Sequence, residues 1–491
     1  MHRIGTWGFG PHEWVSVERT RKFYERALRR RFELVDLDAV GEGEPTPPVD
    51  AILSFHGSQW FSQPRPADTP IVLAMHGGPV VSHAGLRDRF PHLHRNDTLL
   101  LNCRSDAEIM QDLCEGPTPH LVRLPLPVDT ELFTPYDQGD CRRELELPPC
   151  DHVLGFVCRL VPQKNLHVFL RAFARIREQM APQRVVALVV GNFHTSYPVL
   201  DYGCAQYREH IAALVQRLGI AEDLVCFPAN LSDEELAMAF GAMDVLLHPT
   251  SAIDENFGYV PVEAMACGVP VVGAAHGGLK DSVRPGVTGA LMPTWITRSG
   301  IRIDADAGVD AVVRIMSDAD RHEAMSVAAA EHASSGYSEA VCSDILCRAF
   351  EDAIARRAQG LGETIVTTSP PTPSAEPSLL PPTVPAWESF AEPVARYVET
   401  AAPTLTDDSH VRWAAPLVRW GDGRLRLLDP AWPAALPVDL EDDPWVEACA
   451  GPQHAASLAT PGTARWNTLQ RLVDDGLLLV SAAAQQRGAA A

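Results

Sequence analysis

Two glutamates eight positions apart stand out among the side chains that could do chemistry. Glu255 lies in a loop, and Glu263 falls in the first turns of a predicted helix that begins near Pro261 and stops at Gly268. Proline suits a first helical turn, and glycine suits the residue after a helix. A carboxylate accepts hydrogen bonds from two hydroxyls at once. The pair therefore predicts a ligand with vicinal hydroxyls, with solvated surface glutamates as the alternative.

The loop before this helix predicts an anion site. The backbone N–H groups of Asn256, Phe257 and Gly258 lie at the helix start, where the helix dipole favours negative charge. Arg159 and Lys164 follow a predicted strand. Arginine grips a diphosphate with paired hydrogen bonds, and lysine adds a point charge. A nucleotide sugar has hydroxyls on both sides of its phosphates and fits this combination; surface salt bridges are the alternative.

Short apolar runs and helix-length segments alternate along two successive stretches of the chain, as βα units with parallel sheets do. The predicted strands of the first stretch are 32–37, 51–55, 71–75, 98–102 and 121–124. Those of the second are 153–158, 185–190, 224–227, 245–248, 269–274 and 290–292, with helices near 166–180, 207–218, 233–242 and 260–267. The pattern predicts an α/β protein with two doubly wound Rossmann-like domains facing a cleft.

The predicted boundaries divide the chain into four parts. We expect a Rossmann-like domain over 1–135, a second with returning C-terminal helices over 136–359, a linker over 360–385 and a small α+β module over 386–491. Seven prolines among the sixteen residues 370–385 indicate a semi-rigid linker. The module ends in a predicted amphipathic helix, a turn and a strand, an order compatible with a winged-helix-like unit.

Composition excludes some classes of protein. With 46% hydrophobic and 21% charged residues the chain is globular. Its net charge of −22 predicts that nucleic acid is repelled. Eleven scattered cysteines indicate reduced thiols, and no leader-like or membrane-spanning apolar run is apparent, so we expect a cytoplasmic protein.

One segment runs against the overall charge. Residues 18–33 carry seven basic side chains. Such a helix can make a weak contact with an anionic membrane surface. Its small apolar face favours the structural interpretation, a solvated helix with internal Glu–Arg pairs.

Residues 153–292 resemble the nucleotide-binding domain of the retaining GT-B glycosyltransferases of family 4. The matching stretches, in the family's order, are GFVCRLVPQKNLHVFLRAFARI, ALVVGN, LSDEELAMAFGAMDVLLHPTS, the glutamate pair with its FG, EAMACGVPVV, GG and GVTGALM. In this family the residue that matches Glu263 holds the nucleotide ribose, and the one that matches Glu255 contacts the donor sugar. The resemblance also implies that Arg159 and Lys164 neutralise the departing diphosphate.

The first half resembles the same family at two places. PIVLAMHGGP matches the strand that ends in a cleft histidine, so the resemblance implies that His76 contacts the donor sugar near its reacting carbon. His56 and His83 are competing candidates for that role. Gly8 and Gly10, in WGFGP, stand where the family has adjacent glycines. Glycine lets the backbone approach a phosphate closely.

The resemblance implies transfer of a sugar from a nucleotide sugar, such as a UDP- or GDP-sugar, with retained anomeric configuration. Residues 1–135 would bind the acceptor, whether a small molecule, a lipid or a peptide. We expect no cofactor and no metal, because no His and Asp cluster is present and Lys and Arg can replace a cation. A pseudo-glycosyltransferase, a sugar-nucleotide epimerase and a non-catalytic sugar-nucleotide-binding scaffold stay open as alternatives. The C-terminal module is a candidate for binding a protein or peptide, or for dimerisation.

Overall fold

The computed structural model describes most of the chain. The described residues are 1–12, 15–40, 45–55, 65–66, 68–75, 77–89, 92–197, 202–203, 206–369, 393–398, 401–419, 421, 423–428, 436–438 and 444–481, of which 82–85, 88–89, 196–197, 202–203 and 436–438 are described by their backbone alone. The predicted site residue His76 and its competing candidate His56 therefore lie outside the described residues, as does most of the proline-rich segment.

The N-terminal domain is built on a six-stranded parallel sheet in the order β2-β1-β3-β4-β5-β6. Its strands are β1 Arg3–Trp7, β2 Glu33–Asp36, β3 Ala51–Ser54, β4 Ile71–Ala74, β5 Thr98–Leu101 and β6 His120–Arg123. The five strands predicted between residues 32 and 124 are confirmed. Their inner members are buried on both faces, as in a doubly wound domain.

The second domain has a six-stranded parallel sheet in the order β11-β8-β7-β12-β13-β14. These strands are β7 His152–Val157, β8 Val185–Val190, β11 Leu224–Phe227, β12 Val245–His248, β13 Val271–Ala274 and β14 Gly289–Met292. All six predicted strands are confirmed. Two hairpins accompany the sheet, β9 Ser196–Tyr197 with β10 Tyr202–Gly203 and β15 Thr294–Thr297 with β16 Gly300–Ile303.

Helices cover both sheets. They are α1 Val15–Arg29, α2 Gly78–Arg89, α3 Arg104–Asp112, α4 Gln138–Glu144, α5 Leu166–Met180, α6 Tyr207–Leu218, α7 Asp233–Gly241, α8 Tyr259–Ala266, α9 Leu279–Ser282, α10 Ala305–Met316, α11 Ala319–Tyr337 and α12 Glu339–Arg356. The four helices predicted from the sequence match α5 to α8 within one residue. Glycine ends α8 as predicted, because Gly268 follows its last turn with φ of +76°.

The last helix of the second domain returns to the first. The apolar face of α12 buries Cys342, Leu346 and Phe350 in one cluster with Ile4 and Phe23 of the N-terminal domain. Residues 339–356 were assigned from the sequence to the second domain as returning helices. Their packing shows that α12 completes the core of the first domain, because its apolar stripe faces α1.

The start of the predicted linker is docked rather than extended. The backbone N–H of Ile365 donates to Leu93 O at 2.9 Å, and the N–H of Glu115 donates to Val366 O at 2.8 Å. Residues 361–369 therefore lie along the N-terminal domain, and the linker prediction is wrong for this stretch. The stretch docks because the apolar side chain of Ile365 is buried against the N-terminal domain. The linker prediction considered only the proline content of the segment.

The C-terminal module contains two three-stranded sheets, β21-β17-β22 and β18-β19-β20. Its elements are β17 His410–Trp413, β18 Leu417–Arg419, β19 Leu425–Leu427, β20 Leu436–Val438, α13 Pro444–Ala448, β21 Gln453–His454, α14 Ala455–Leu458, α15 Ala464–Asp474 and β22 Leu478–Ser481. The predicted terminal helix and strand are confirmed as α15 and β22. The winged-helix-like classification stays a prediction.

The module is fixed to the β15–β16 hairpin of the second domain. Arg298 Nε donates to Asp475 Oδ1 at 2.8 Å, and Ser299 Oγ donates to Asp475 O at 2.5 Å. Gly476 has φ of +73°, and a Cβ there would collide with the side chain of Thr297. Only glycine allows this close approach.

The basic side chains of residues 18–33 are paired with carboxylates. The seven cations all take part in ion pairs, with Arg19 bound to Glu263 and the other six bound to the acidic residues Glu18, Glu25, Glu339, Asp344 and Glu351. The pairs with Glu18 and Glu25 are the internal pairs of the structural interpretation, whereas the pairs with Glu263 and α12 were not predicted. A membrane contact stays a prediction. Within the part of the chain that the structure describes, no helix has the length and hydropathy needed to cross a bilayer.

Candidate functional site

A cavity of about 350 Å³ lies between the two sheets at the carboxyl ends of their strands, where open α/β sheets bind ligands. From the second domain it is lined by Cys158, Arg159, Lys164, His248, Asp254, Glu255, Asn256, Phe257, Gly258, Tyr259 and Val260. From the N-terminal domain and the connection that follows it come Ser16, Val17, Thr20, Gly77, Val81, Asn102 and Leu126. Six of the ten predicted site residues therefore share one cavity.

Lys164 is the buried cation of this cavity. It ends a 3-10 turn, Pro162–Lys164, that follows β7, and its Nζ donates to Glu255 Oε2. Burial by itself would lower the pKa of Lys164, but the carboxylates of Glu255 and Asp254 outweigh it and raise the pKa. The side chain is therefore an ammonium at neutral pH, although water barely reaches it.

Glu255 is held as a carboxylate by its neighbours. Thr250 Oγ1 donates to Oε2 at 3.1 Å, and His248 Nε2 lies 3.6 Å from the same oxygen. Burial alone would raise the pKa of Glu255, but Lys164 and His248 keep it well below its usual range. Sequence reasoning missed His248 and Thr250, whose only signal was their position at the end of a predicted strand.

Arg159 lines the same cavity and is more exposed to solvent than Lys164. Its Nη2 donates to Asp254 Oδ2 at 3.3 Å, and about a third of the side chain is exposed. A guanidinium carries five N–H donors in a planar fork, the geometry that binds a phosphate with paired hydrogen bonds. The geometry therefore places two cations of different exposure on one wall, the buried ammonium of Lys164 and the partly exposed guanidinium of Arg159.

The start of α8 supplies backbone donors. Gly258 precedes the helix with φ of +80°, and a Cβ there would lie 3.2 Å from Glu255 Oε1. A close approach of two glycines supports this loop from behind. The Gly278 N–H donates to Glu255 O at 3.0 Å, and a Cβ on Gly277 would collide with the same carbonyl. Glycines are therefore needed at the GG position of the sequence.

Glu263 sits behind the cavity wall rather than in it. Its Oε1 accepts a 2.5 Å hydrogen bond from Arg19 Nη1, which reaches across from α1. The guanidinium of Arg19 also stacks on the Tyr259 ring at 5.1 Å, and Thr20 Oγ1 lies 2.8 Å from Tyr259 OH. Burial raises the pKa of Glu263, and Arg19 partly offsets this. The structure therefore gives this carboxylate a partner that the sequence did not reveal.

The remaining predicted residues lie elsewhere or are not described. The Gly8 N–H donates to Asp38 Oδ2 at 2.7 Å, and Gly10 is exposed, with neither in the cavity lining. His76 lies outside the described residues, although Gly77 beside it lines the cavity. The structure describes only the backbone of His83, which lies in α2. The roles given to these residues stay predictions.

A buried network ties the loop to the N-terminal domain. Asn256 Nδ2 donates to Asp106 Oδ2 at 3.2 Å, and Tyr397 OH donates to Asp106 Oδ1 at 2.8 Å. The backbone of Tyr397 returns to the second domain, where its carbonyl accepts from the Gly277 N–H at 2.9 Å. Residues 393–398, which we call the strap, therefore bridge both domains beside the site. Nothing in the sequence pattern signalled this contact.

Asp106→Asn is expected to flatten the pH dependence of stability. Burial raises the pKa of Asp106 to about 7 from 3.8, despite hydrogen bonds from Tyr397 and Asn256 that lower it. Between these values the folded state binds a proton that the unfolded chain has lost. The wild-type free energy of unfolding therefore falls as the pH rises through this window, by up to about 4 kcal/mol.

Urea unfolding at about pH 5 and about pH 8 measures this effect. Asp112→Asn on the same helix is the matched control, because Asp112 pairs with Arg396 at the surface. A difference between wild type and Asp106→Asn that stays constant with pH would contradict the prediction.

The site shows no acidic or histidine cage. Among the described residues there is no group of three or more His, Cys, Asp and Glu side chains that could hold a metal ion. The positive charge next to the cavity comes from Lys164 and Arg159.

The second domain is similar to a known protein family. Residues 137–332 match the family model of the glycosyl transferases group 1. Over this stretch the second domain is therefore similar to the group 1 glycosyltransferases. The resemblance drawn from the sequence is thereby confirmed at the level of this group. Its assignment to family 4 and to the retaining enzymes stays a prediction.

Solved structures extend the likeness to both domains. The sucrose-phosphate synthase of Thermosynechococcus elongatus superposes with a TM-score of 0.56 at 19% identity, covering 72% of this chain and all of that one. The Anabaena protein HepE, solved with UDP and glucose, gives 0.53 at 17% identity over 71% of this chain and 99% of its own. Together with the two facing parallel sheets, these matches establish the GT-B fold.

Curated relatives carry the D-inositol 3-phosphate glycosyltransferase name. The protein of Stackebrandtia nassauensis is 35% identical over 266 residues, which are 54% of this chain and 56% of that protein. The protein of Actinosynnema mirum is 37% identical over 198 residues, 40% of this chain and 45% of its own length. The chain thus spans about half the length of the curated relatives it matches.

Proposed function

We propose that the protein transfers a sugar from a nucleoside diphosphate sugar to an acceptor, with retention of anomeric configuration and without a metal ion. The observation that carries the proposal is one cavity in which Arg159, Lys164 and Glu255 meet the start of α8. A cationic wall, a backbone donor site and a carboxylate are the groups that a sugar-linked diphosphate needs.

The work of the site is electrostatic. As the bond between the anomeric carbon and the diphosphate oxygen breaks, negative charge grows on the diphosphate and positive charge on the sugar ring. Lys164 and Arg159 stabilise the first, and they need little reorganisation because the Glu255 and Asp254 carboxylates already hold them in place. The acceptor oxygen attacks on the side that the diphosphate leaves, and a diphosphate oxygen takes the acceptor's proton.

Glu255 and Glu263 would recognise opposite ends of the donor. Glu255 accepts hydrogen bonds from sugar hydroxyls, while Glu263 accepts them from the ribose. Arg19 holds Glu263 in the resting protein, so the ribose must share the carboxylate with Arg19 or displace it. Because Arg19 belongs to the N-terminal domain, nucleotide binding at Glu263 is coupled to the position of that domain.

The relatives suggest which substrates to test first. HepE has been solved with UDP-glucose, which supports a UDP-hexose as the first donor. The D-inositol 3-phosphate named for the curated relatives is the first acceptor. The protein would act in the cytoplasm, where nucleotide sugars are made.

Binding of a nucleotide sugar is the first expected result. In a thermal-shift panel of UDP-, GDP-, ADP- and TDP-glucose, one donor should raise the melting temperature specifically. A ligand at 100 times its dissociation constant adds about 2.7 kcal/mol to the stability of the folded state. If none of the four changes the melting temperature, and equilibrium dialysis detects none bound, the proposed donor site is wrong.

Product analysis then separates the possible reactions. Incubation with the stabilising donor and D-inositol 3-phosphate should give a glycoside whose anomeric configuration, read by NMR, equals that of the donor. Epimerised nucleotide sugar without an acceptor would indicate an epimerase. Tight donor binding with no product from any acceptor class would indicate a sugar-nucleotide-binding scaffold.

A further inference from the structure

A second cavity, of about 750 Å³, lies between the second domain and the C-terminal module. The face of α5 forms one wall, and the lining residues follow this helix from Val168 to Glu178. The opposite walls come from β16 and from the module, where Arg412 and Leu479 face the cavity. This volume is typical of small-molecule sites, and the function proposed above makes no use of it.

Arginines dominate the charged part of this lining. The charged residues are Arg171, Arg175, Arg177, Arg302 and Arg412 against a single acid, Glu178. The whole chain carries a net charge of −22. Three of the arginines also pair with acids behind the lining, Arg177 with Asp223 and both Arg175 and Arg412 with Asp306. The guanidinium groups that face the cavity attract anions, because their field is concentrated between low-dielectric walls.

Two of these arginines come from opposite sides of the interface and share one carboxylate. Arg175 of α5 and Arg412 of β17 both donate to Asp306 Oδ1, the latter at 3.0 Å. Asp306 is buried, and the two guanidinium groups keep its pKa low although burial alone would raise it. One negative charge therefore meets two positive charges, and each guanidinium keeps further N–H donors.

A third arginine adds buried positive charge. Arg302 is only 5% exposed. Its Nε donates to Gly476 O at 2.7 Å and its Nη2 to Ser299 Oγ at 2.8 Å. These hydrogen bonds orient the guanidinium in the wall of the cavity.

We propose that this cavity binds a small phosphorylated molecule. Its phosphate lies on Arg175 and Arg412, whose planar forks match phosphate oxygens. Its uncharged body packs against the apolar part of the lining, formed by side chains such as Val168, Ala172 and Leu479. A ligand held in this way joins α5 to β17 and stabilises the docked position of the C-terminal module.

Isothermal titration of the full chain with inorganic phosphate and with glucose 6-phosphate tests the proposal, with glucose as the phosphate-free control. Both phosphates should bind, glucose should not, and the sugar phosphate should bind more tightly than phosphate alone. Arg412→Gln and Arg175→Gln should each weaken binding about tenfold or more. Arg419→Gln, an exposed arginine in the same module, should leave the dissociation constant unchanged.

Lys164→Ala separates this cavity from the donor cavity. The two are close in the chain, because Asn165 lines the second cavity and follows Lys164 directly. Binding of the two phosphates should survive Lys164→Ala. Loss of binding in Lys164→Ala but not in Arg412→Gln would place the phosphate in the donor cavity and overturn the proposal.

Two further outcomes would also overturn it. One is the failure of both phosphate probes to bind the wild-type protein at millimolar concentration. The other is equal weakening by Arg419→Gln and Arg412→Gln, which would indicate a general charge effect. Glutamine keeps a donor for Asp306, and circular dichroism melts without ligand verify that each variant is folded. The binding assay needs no glycosyl transfer, so its result is independent of the function proposed above.

Discussion

Lys164→Ala is expected to lower turnover of the nucleotide sugar about 100-fold or more. Lys164 brings its charge into a site that water barely reaches, since its side chain is 9% exposed. No solvent can replace that charge when the diphosphate leaves. The loss should appear in the rate at saturating donor, because the interaction grows as the bond breaks.

Lys164→Ala should also destabilise the fold, so a second variant must separate the loss of stability from the loss of turnover. Glu255 is as buried as Lys164, so the single variant leaves an unpaired buried carboxylate at a cost of about 3–5 kcal/mol. The double variant Lys164→Met with Glu255→Gln removes both charges and should regain most of that stability. Its turnover should stay low.

Lys22→Ala is the matched control for the lysine itself, because Lys22 is exposed on α1 and 60% accessible. Its turnover and melting temperature should equal those of the wild type. If the double variant recovers turnover together with stability, the effect of Lys164 is structural and its proposed role in neutralising the diphosphate is wrong.

Glu263→Ala is expected to weaken donor binding at least tenfold while changing the rate at saturating donor far less. Each hydrogen bond between a hydroxyl and a carboxylate contributes about 1.5–3 kcal/mol. The ribose is remote from the breaking bond, so its contacts stabilise the bound donor and the transition state equally. Titration with the stabilising nucleotide sugar and steady-state kinetics measure the two quantities separately.

The fold should tolerate this substitution better than Lys164→Ala. The partner of Glu263 is Arg19, whose side chain is 32% exposed and can turn toward water once the carboxylate is gone. Glu222→Ala, an exposed glutamate of the same domain, is the control and should leave donor affinity unchanged. A normal donor affinity in Glu263→Ala would remove Glu263 from the nucleotide site.

The sequence by itself determined the two Rossmann-like domains. The eleven strands predicted from apolar runs all form, and α5 to α8 begin and end within one residue of their predicted positions. This success has a local cause. A strand buried on both faces must be apolar throughout. Pro261 in the first turn of α8 and Gly268 after its last turn mark the ends of that helix through their own backbone preferences.

The sequence also indicated much of the candidate site. Arg159, Lys164, Glu255 and the loop before α8 were selected by residue type and by order along the chain, and they share one cavity. Their meeting follows from topology, because strands of a parallel sheet all end at the same edge. Residues that follow β7 and β12 are therefore neighbours whatever the intervening sequence.

Only the tertiary structure revealed the contacts that cross between domains. Arg19 reaches Glu263 from 244 residues away, and Tyr397 reaches Asp106 from 291 residues away. Arg412 meets Asp306 in the same way. Each of these contacts joins side chains on parts of the fold that lie far apart in the chain. Periodicity and capping report what a segment does with its own backbone and its own core, whereas a contact between units depends on how two finished surfaces fit.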